Sequence, residues 1–536
     1  MASMAHSKAL RLRPASAKPT GCRKRTWLLS LSAIPALAAG PVEAAKWEIH
    51  PTVSSDVTYT DNVSLARSGL ERSDWVTQVT PGVSVNAAGA GLKVNASYGA
   101  QFLHRNETGG GGINHQFSGS ANAEIVKRLF FIDASGSVSQ QNVSLLAPQT
   151  DSNVNNTGNR ATVSSFLVSP HLRHSFGQDA LGEARFSYST VTTSSVAGGS
   201  AVAGASAVNS QNKRIDLRLN SGPAFKLYTW NVAYSRNTVD YSQAQQPDFT
   251  TETISAGGRR MITSQFGLNS TVAYEKSNYS AAGRSPSGAS WNAGADWTPT
   301  PRTRLAATAG RRYFGSTKSL DFSHRTRLTT WGANYSESVT NTHGQALVPS
   351  SASTAGYLDT LFLSSIPDPV VRQVAVQSFI AQNALPASLT VPVNFLTTQT
   401  TLVKRMNASF GINGLRNTVL TNLFTSTSAS LAAGVPVTGA GDFASSSTVK
   451  QNGGSVLWNW RIATHVSSNA SASYTRSEFP STGQKNDIQS VRLGLTQQFQ
   501  PRLSGSLNYR SQHTKSNLAG GSFDENAISA ALSLRY

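Results

Sequence analysis

The feature that most constrains this chain is a two-residue alternation carried to its last residue. Over Asn526–Tyr536, the residues Ile528, Ala530, Leu532, Leu534 and Tyr536 interleave with Ala527, Ser529, Ala531, Ser533 and Arg535. Successive side chains of a strand point to opposite faces, so this stretch reads as a β-strand with one apolar and one small or polar face. The same period recurs upstream. Leu92, Val94, Ala96, Tyr98, Ala100 and Phe102 alternate with Lys93, Asn95, Ser97, Gly99 and Gln101. Tyr228, Trp230, Val232 and Tyr234 do so with Thr229, Asn231, Ala233 and Ser235, and Val491, Leu493, Leu495 and Phe499 with Arg492, Gly494, Thr496 and Gln498. The chain has no repeating sequence unit of the kind a propeller or solenoid requires.

The connections alternate too. Tight turns at Gly89-Ala-Gly91, Lys127-Arg128, Gly177-Gln-Asp179, Thr298-Pro-Thr-Pro301, Asn413-Gly414 and Gln500-Pro501 are separated by long Ser/Gly/Asn-rich segments at 144–159, 192–210, 279–288, 428–446 and 514–523. Short turns on one side and long loops on the other are the asymmetry of an outer-membrane barrel. Trp47, Trp75, Trp291, Trp297, Trp331, Trp458 and Trp460 fall near strand ends, where an interfacial aromatic girdle lies. The terminal alternation then resembles a barrel's closing strand, with Ile528, Ala530, Leu532, Leu534 and Tyr536 as the C-terminal assembly signal. The expected fold is all-β: a closed antiparallel transmembrane β-barrel of about 20–22 strands. A direct count gives about 21, but both ends belong on the same side, so the total must be even; the parity breaks between Ser336 and Thr401, so either a strand is missed in that insert or one is overcounted near 303–336, for a total of 20 or 22. The first strand, near Trp47, must pair with the last, because a closed barrel has no free edge.

Composition fits this reading. Only 14% of residues are charged and 39% hydrophobic, against about 25% charged in ordinary soluble domains. Beyond the N-terminus no apolar run approaches the roughly 20 residues of a spanning helix, whereas a spanning strand needs only about 10. The net charge is +19, part of it from the basic residues between Lys8 and Arg25. The remainder is scattered through strands, which argues against nucleic acid as a partner and leaves anionic surfaces and polymers. The single cysteine, Cys22, precedes the apolar stretch Trp27–Ala39 and is not placed like a lipoprotein cysteine.

Residues 1–44 read as a secretory signal peptide: a basic start, the short apolar stretch, and small residues around Val42-Glu-Ala44. Residues 45–536 are then the barrel. Within it, about 340–395 differs: Asp368-Pro369 looks like a helix cap and first-turn proline, and Val371, Val374, Ala375, Phe379 and Ile380 recur at helical spacing. One short helix in a long loop is expected there, as a plug, constriction or docking element, or as a cover over the barrel mouth.

Trp47-Glu-Ile-His-Pro51, Tyr59-Thr-Asp-Asn-Val63, Asp74 with Val76, Pro81-Gly82, Asn394-Phe-Leu396 and Gly414-Leu-Arg-Asn-Thr-Val419 resemble the PEP-CTERM system-associated outer-membrane β-barrel family. The resemblance implies a setting of exosortase-type sorting and exopolysaccharide export, and carries no active-site residues with it. Composition and periodicity show no link to polysaccharide.

Catalysis is not expected. The histidines are scattered, His171 and His174 would lie on opposite faces of one strand, and no Cys/His/Asp cluster has zinc spacing, so no metal or other cofactor is expected. Gly109–Gly112 lacks the Lys-Ser/Thr of a phosphate loop and reads as a loop tip. The inward faces are more informative. If apolar faces meet lipid, Lys93, Arg214, Arg218, Arg304, Arg312, Arg461, Arg492, Arg502, Arg510 and Arg535 point inward against few acids such as Asp216 and Glu275. That set suits an anion-favouring pore or a lining for an anionic polymer; the alternatives are a salt-bridged packing network or contacts to lipopolysaccharide at the rim. Expected partners are outer-membrane lipid and lipopolysaccharide, the barrel assembly machinery, and anionic polysaccharide or export-complex proteins. A non-conducting docking barrel is the competing reading.

Overall fold

The computed structural model describes residues 45–150, 152–195, 209–242, 248–278, 286–341, 343, 358–359, 376, 400–431, 441–444, 447–518 and 520–536. The signal peptide expected at 1–44 lies outside these residues, as does the helix expected within 340–395 but for isolated positions. The parity argument holds: the described residues form 22 strands, an even number.

In chain order they begin with β1 (Lys46–Thr60), β2 (Asp74–Ala88), β3 (Leu92–Arg105), β4 (Gly111–Val126), β5 (Phe130–Asn142), β6 (Arg160–Phe176) and β7 (Ala180–Ser195). Next come β8 (Ser210–Ser221), β9 (Tyr228–Tyr241), β10 (Phe249–Met261), β11 (Phe266–Ser277), β12 (Ser287–Thr300), β13 (Thr303–Arg312), β14 (Gly315–Arg325) and β15 (Thr329–Thr340). The last are β16 (Thr401–Asn413), β17 (Asn417–Ser430), β18 (Thr448–Ala463), β19 (Val466–Phe479), β20 (Gln484–Gln500), β21 (Leu503–Ser516) and β22 (Phe523–Arg535). Each pairs antiparallel with its chain neighbours. β1 also pairs with β22, from Thr52 opposite Arg535 to Thr60 opposite Ala527, and this closes the sheet. Trp47 itself reaches past the end of β22 and pairs only with Ala87 of β2. The seam is tied off where the Tyr536 amide donates to the Pro51 carbonyl at 2.9 Å.

The wall is inverted relative to a soluble protein, as a lipid-facing barrel requires. On β22, Ile528 and Leu532 are exposed on the outside while Glu525 and Ala527 are buried within. Trp47, Trp75, Trp291, Trp297, Trp331, Trp458 and Trp460 are all exposed on the outer face. Connections at the end where β1 begins and β22 finishes are short, such as 89–91, 301–302 and 501–502. Those at the other end include 143–159, 341–400 and 431–447. These are called the turn end and the loop end below. Register shifts occur at Glu124/Val126, Trp297/Thr300, Arg461/Ala463 and Gln498/Gln500, all beside turn-end turns. Bulges there add local twist as each strand reverses.

One loop-end connection explains the glycine run. The Asp74 carboxylate accepts backbone N–H bonds from Asn106, Glu107 and Thr108 at 2.9–3.0 Å, pinning the start of the β3–β4 connection. Gly109 and Gly110 then turn the chain with φ of +68° and +80°, a region open to glycine at little steric cost. Gly111 and Gly112 already belong to β4.

Candidate functional site

The inside of the barrel is where side chains meet across strands that are far apart in sequence. Among the described residues, its main structural feature is the segment 143–159 between β5 and β6, which folds inward and packs on the inner faces of β1–β3 and β18–β22. Asn159 laces its neck: the side-chain carbonyl accepts from the Ser144 amide at 2.8 Å, and the side-chain amide donates to the Ser144 carbonyl at 2.8 Å. Asn142 donates to the Thr150 carbonyl at 2.9 Å. The polar, Asn-rich composition that reads as a surface loop serves here to satisfy backbone groups taken inside.

Three anchors hold the segment. Leu145 is fully buried against Phe443, Val449 and Phe479. At the same place the Asp442 carboxylate, in the 3₁₀ turn Gly441–Ala444, accepts from the Ser144 hydroxyl and, at 2.7 Å, from the Leu145 amide. Burial pushes the Asp442 carboxyl above its ordinary range. A second anchor is apolar: Val154 packs with Val63, Val76 and Leu103. The third is a buried polar hub on Glu525. Its carboxylate accepts from Arg510 at 2.7 Å, Asn155 at 2.6 Å and Thr60 at 2.8 Å. Gln512 and Asn486 complete the attachment by donating to the carbonyls of Gln149 and Leu145 at 2.9 and 3.0 Å.

On the other side of the interior, from β4 round to β13 and β15, lies a cavity of about 820 Å³. Its charges are matched in pairs. Arg214 is bidentate to Asp216 at 2.7 and 2.8 Å, with Arg218 3.9 Å away from the same carboxylate. Arg312 holds Glu275 at 2.7 and 3.0 Å, and Arg185 bonds Asp133 at 2.8 Å. His171 lies inward, buried and stacked on Phe131, while His174 lies outward against Phe176.

The ten basic residues singled out from the alternation thus divide. Arg214, Arg218, Arg312 and Arg510 sit on the inner wall in ion pairs, and Arg492 lies near enough to Arg510 and Glu525 to feel their charges. Lys93, Arg304, Arg461 and Arg535 occupy inward positions near the turn end, are exposed to the lumen, and carry no ion pair among the described residues. Arg502 falls in the 501–502 turn rather than in a strand. Alternation alone did not select Arg325, which shares the inward parity of β14 near the turn end, nor the partner acids Asp133, Glu183 and Glu525. The acids follow the same period, and only the strand register shows that they lie beside arginines.

Within the 340–395 insert, His343 has the clearest contacts among the described residues. His343 is buried between Ser189 of β7 and Ser210 of β8, 2.8 and 2.7 Å from their hydroxyls. Burial pulls its pKa from 6.5 down to about 4, so the folded state holds it neutral. The resulting contribution to stability is present above pH 6.5 and is lost as the pH falls towards 4, at most about 3 kcal/mol. Thermal unfolding followed by heat-modifiable gel migration should therefore weaken across that window, and the weakening should be smaller in His343→Gln. A pH response identical in the variant would show that another group is responsible.

An inverted antiparallel barrel with a segment folded into its interior defines a porin-like outer-membrane β-barrel. Residues 424–536, from within β17 to the C-terminus, match the family model described as "Putative beta-barrel porin 2", which supports an outer-membrane β-barrel family. No curated protein matches the chain. Among solved structures, the siderophore receptor PirA from Acinetobacter baumannii is similar at 9% identity and a TM-score of 0.47, covering 92% of this chain and 81% of that one. The ferric-catecholate import receptor Fiu from E. coli K12, open form, is similar at 10% identity and 0.47, covering 90% and 81%. The outer membrane protein opdK from Pseudomonas aeruginosa is similar at 10% identity and 0.34, covering 91% and 99%. Likenesses this distant say nothing of what this chain carries.

Proposed function

We propose that the chain is a non-enzymatic outer-membrane pore that favours anions, with its turn end towards the periplasm and the segment 143–159 narrowing the path from the loop side. The observation that carries the reading is the division of inward charge. At the loop end and mid-barrel Arg214, Arg312 and Arg510 are each neutralised by an acid 2.7 Å away, whereas Lys93, Arg304, Arg461 and Arg535 near the turn end have no ion pair among the described residues. Nearby inward acids are mostly engaged elsewhere: Glu48 is paired with Lys46, though near enough to Arg535 to feel its charge, Glu124 accepts from the Arg128 amide, Glu183 is held by Arg173 and Arg185, and Asp296 by Arg259. A lumen mouth with uncompensated positive charge concentrates anions and raises a barrier to cations. The setting implied by the resemblance to the PEP-CTERM system-associated family makes an acidic exopolysaccharide the candidate polymer, taken up at this mouth for export.

In planar bilayers under a KCl gradient the wild-type protein should give a reversal potential of the sign for anion preference. Changing Lys93, Arg304, Arg461 and Arg535 together to Gln should move that potential towards zero while leaving heat-modifiable migration intact. Cation preference in the wild type would overturn the proposal, and a barrel that inserts but never conducts would favour the docking alternative.

A further inference from the structure

The turn end carries a second pattern that the lumen does not use. Four of its turns place a basic residue beside an exposed leucine: Arg128 with Leu129, Lys226 with Leu227, Arg327 with Leu328, and Arg416 with Leu415. Leu415 is 96% exposed and Leu227 63%. Two further turns present Arg302 and Arg502 directly after Pro301 and Pro501. With Lys127, these basic residues are all exposed and form no ion pair among the described residues; these six turns hold no acid, and the acid among the turn-end turns is Asp179, in the β6–β7 turn.

Their distribution narrows the partner. They lie between β4 and β5, β8 and β9, β12 and β13, β14 and β15, β16 and β17, and β20 and β21, so they encircle the barrel instead of gathering in one patch. A folded acidic protein would need a compact surface, whereas a lipid leaflet surrounds the whole circumference. The leucines point the same way. Each would cost free energy in bulk water but is favoured among acyl chains. The level is marked independently by Trp47, Trp297, Trp331, Trp458 and Trp460, which are exposed on the outer wall next to these turns, the position of an interfacial aromatic belt. A lysine or arginine beside a lipid-immersed leucine extends its charged end to the headgroup plane, where phosphate oxygens are the acceptors.

We propose that the turn end binds the headgroups of anionic phospholipids in the leaflet that surrounds it, as an annulus in which each basic turn residue donates to lipid phosphate. This does not depend on whether the barrel conducts. The test uses the full mature chain reconstituted in vesicles containing brominated phosphatidylcholine or brominated phosphatidylglycerol, with quenching of the turn-end tryptophans as the readout. The wild type should prefer the anionic lipid by about fivefold, the ratio expected of one basic contact per lipid site, and should lose the preference in high salt. Changing the seven basic turn residues to Gln, with the leucines kept, should bring the ratio near one. The variant with Lys93, Arg304, Arg461 and Arg535 changed to Gln should retain the preference. Equal quenching of the wild type by both lipids, or a preference that survives high salt, overturns the proposal even if the seven-site variant does not fold.

Discussion

Replacing residues 146–156 by a short glycine linker should raise single-channel conductance severalfold. The segment they belong to lies on the inner faces of β1–β3 and β18–β22, occupying the loop-end interior. The wall beside it is complete without it. β5 pairs with β4 and β6 along its length, and none of those backbone bonds involves the deleted residues. The deletion removes the Val154 anchor and the Asn155 bond to Glu525, but leaves every strand pairing. Loop changes of this kind are tolerated well, because closure entropy depends only weakly on length. Current through a pore is limited by its narrowest stretch, so removing material from the lumen has a larger effect than any substitution on the wall. The measurement is single-channel recording in planar bilayers, with outer-membrane assembly checked by heat-modifiable migration. A deletion that assembles normally and conducts like the wild type would show that the segment does not narrow the path.

The fold was largely legible in the sequence, and the interior much less so. Two-residue alternation is a local property, and Ile528, Leu532 and Leu534 show it without reference to any other strand. Parity then excluded a count of 21 and left 20 or 22; the described residues form 22 strands. The side of each arginine was also local information. Its electrostatic state was not, because it depends on which acid the register brings alongside. Asp216 is two residues from Arg214 on the same face and could have been paired by eye; Glu275 is 37 residues from Arg312 and could not. The inward course of 143–159 was hidden for a different reason. Ser, Asn, Gln and Thr suit a solvated loop and also a loop whose backbone must be hydrogen-bonded inside a polar lumen. Leu145 and Val154, two of the few apolar side chains in a mostly polar stretch, carried the signal.

Glu525→Ala should cost about 3–5 kcal/mol of barrel stability, the usual result of removing one partner from a buried ion pair. The Glu525 side chain is 0% exposed and that of Arg510 only 15%, so little solvent is present to screen or replace the lost charge. The substitution takes the carboxylate from the Arg510 guanidinium, which lies near Arg492 and keeps a bond to the Asn155 side-chain carbonyl at 3.2 Å, and leaves the donors on Thr60 and Asn155 without their acceptor. Glu525→Gln should cost less, because an amide oxygen can still accept one of these bonds. The double variant Arg510→Met with Glu525→Met should recover most of the loss, since replacing both members of a buried pair removes the unpaired charge. The midpoint of heat-modifiable migration reports all three, and a midpoint unchanged in Glu525→Ala would show that the hub contributes nothing. Conductance separates the two roles of Glu525. The double variant restores the wall but not the bond to Asn155, so the middle of segment 143–159 is released and channel noise should stay above the wild-type level. If noise instead returned to that level with stability, the Val154 and Leu145 anchors would be sufficient to hold the segment, and Glu525 would serve the barrel alone.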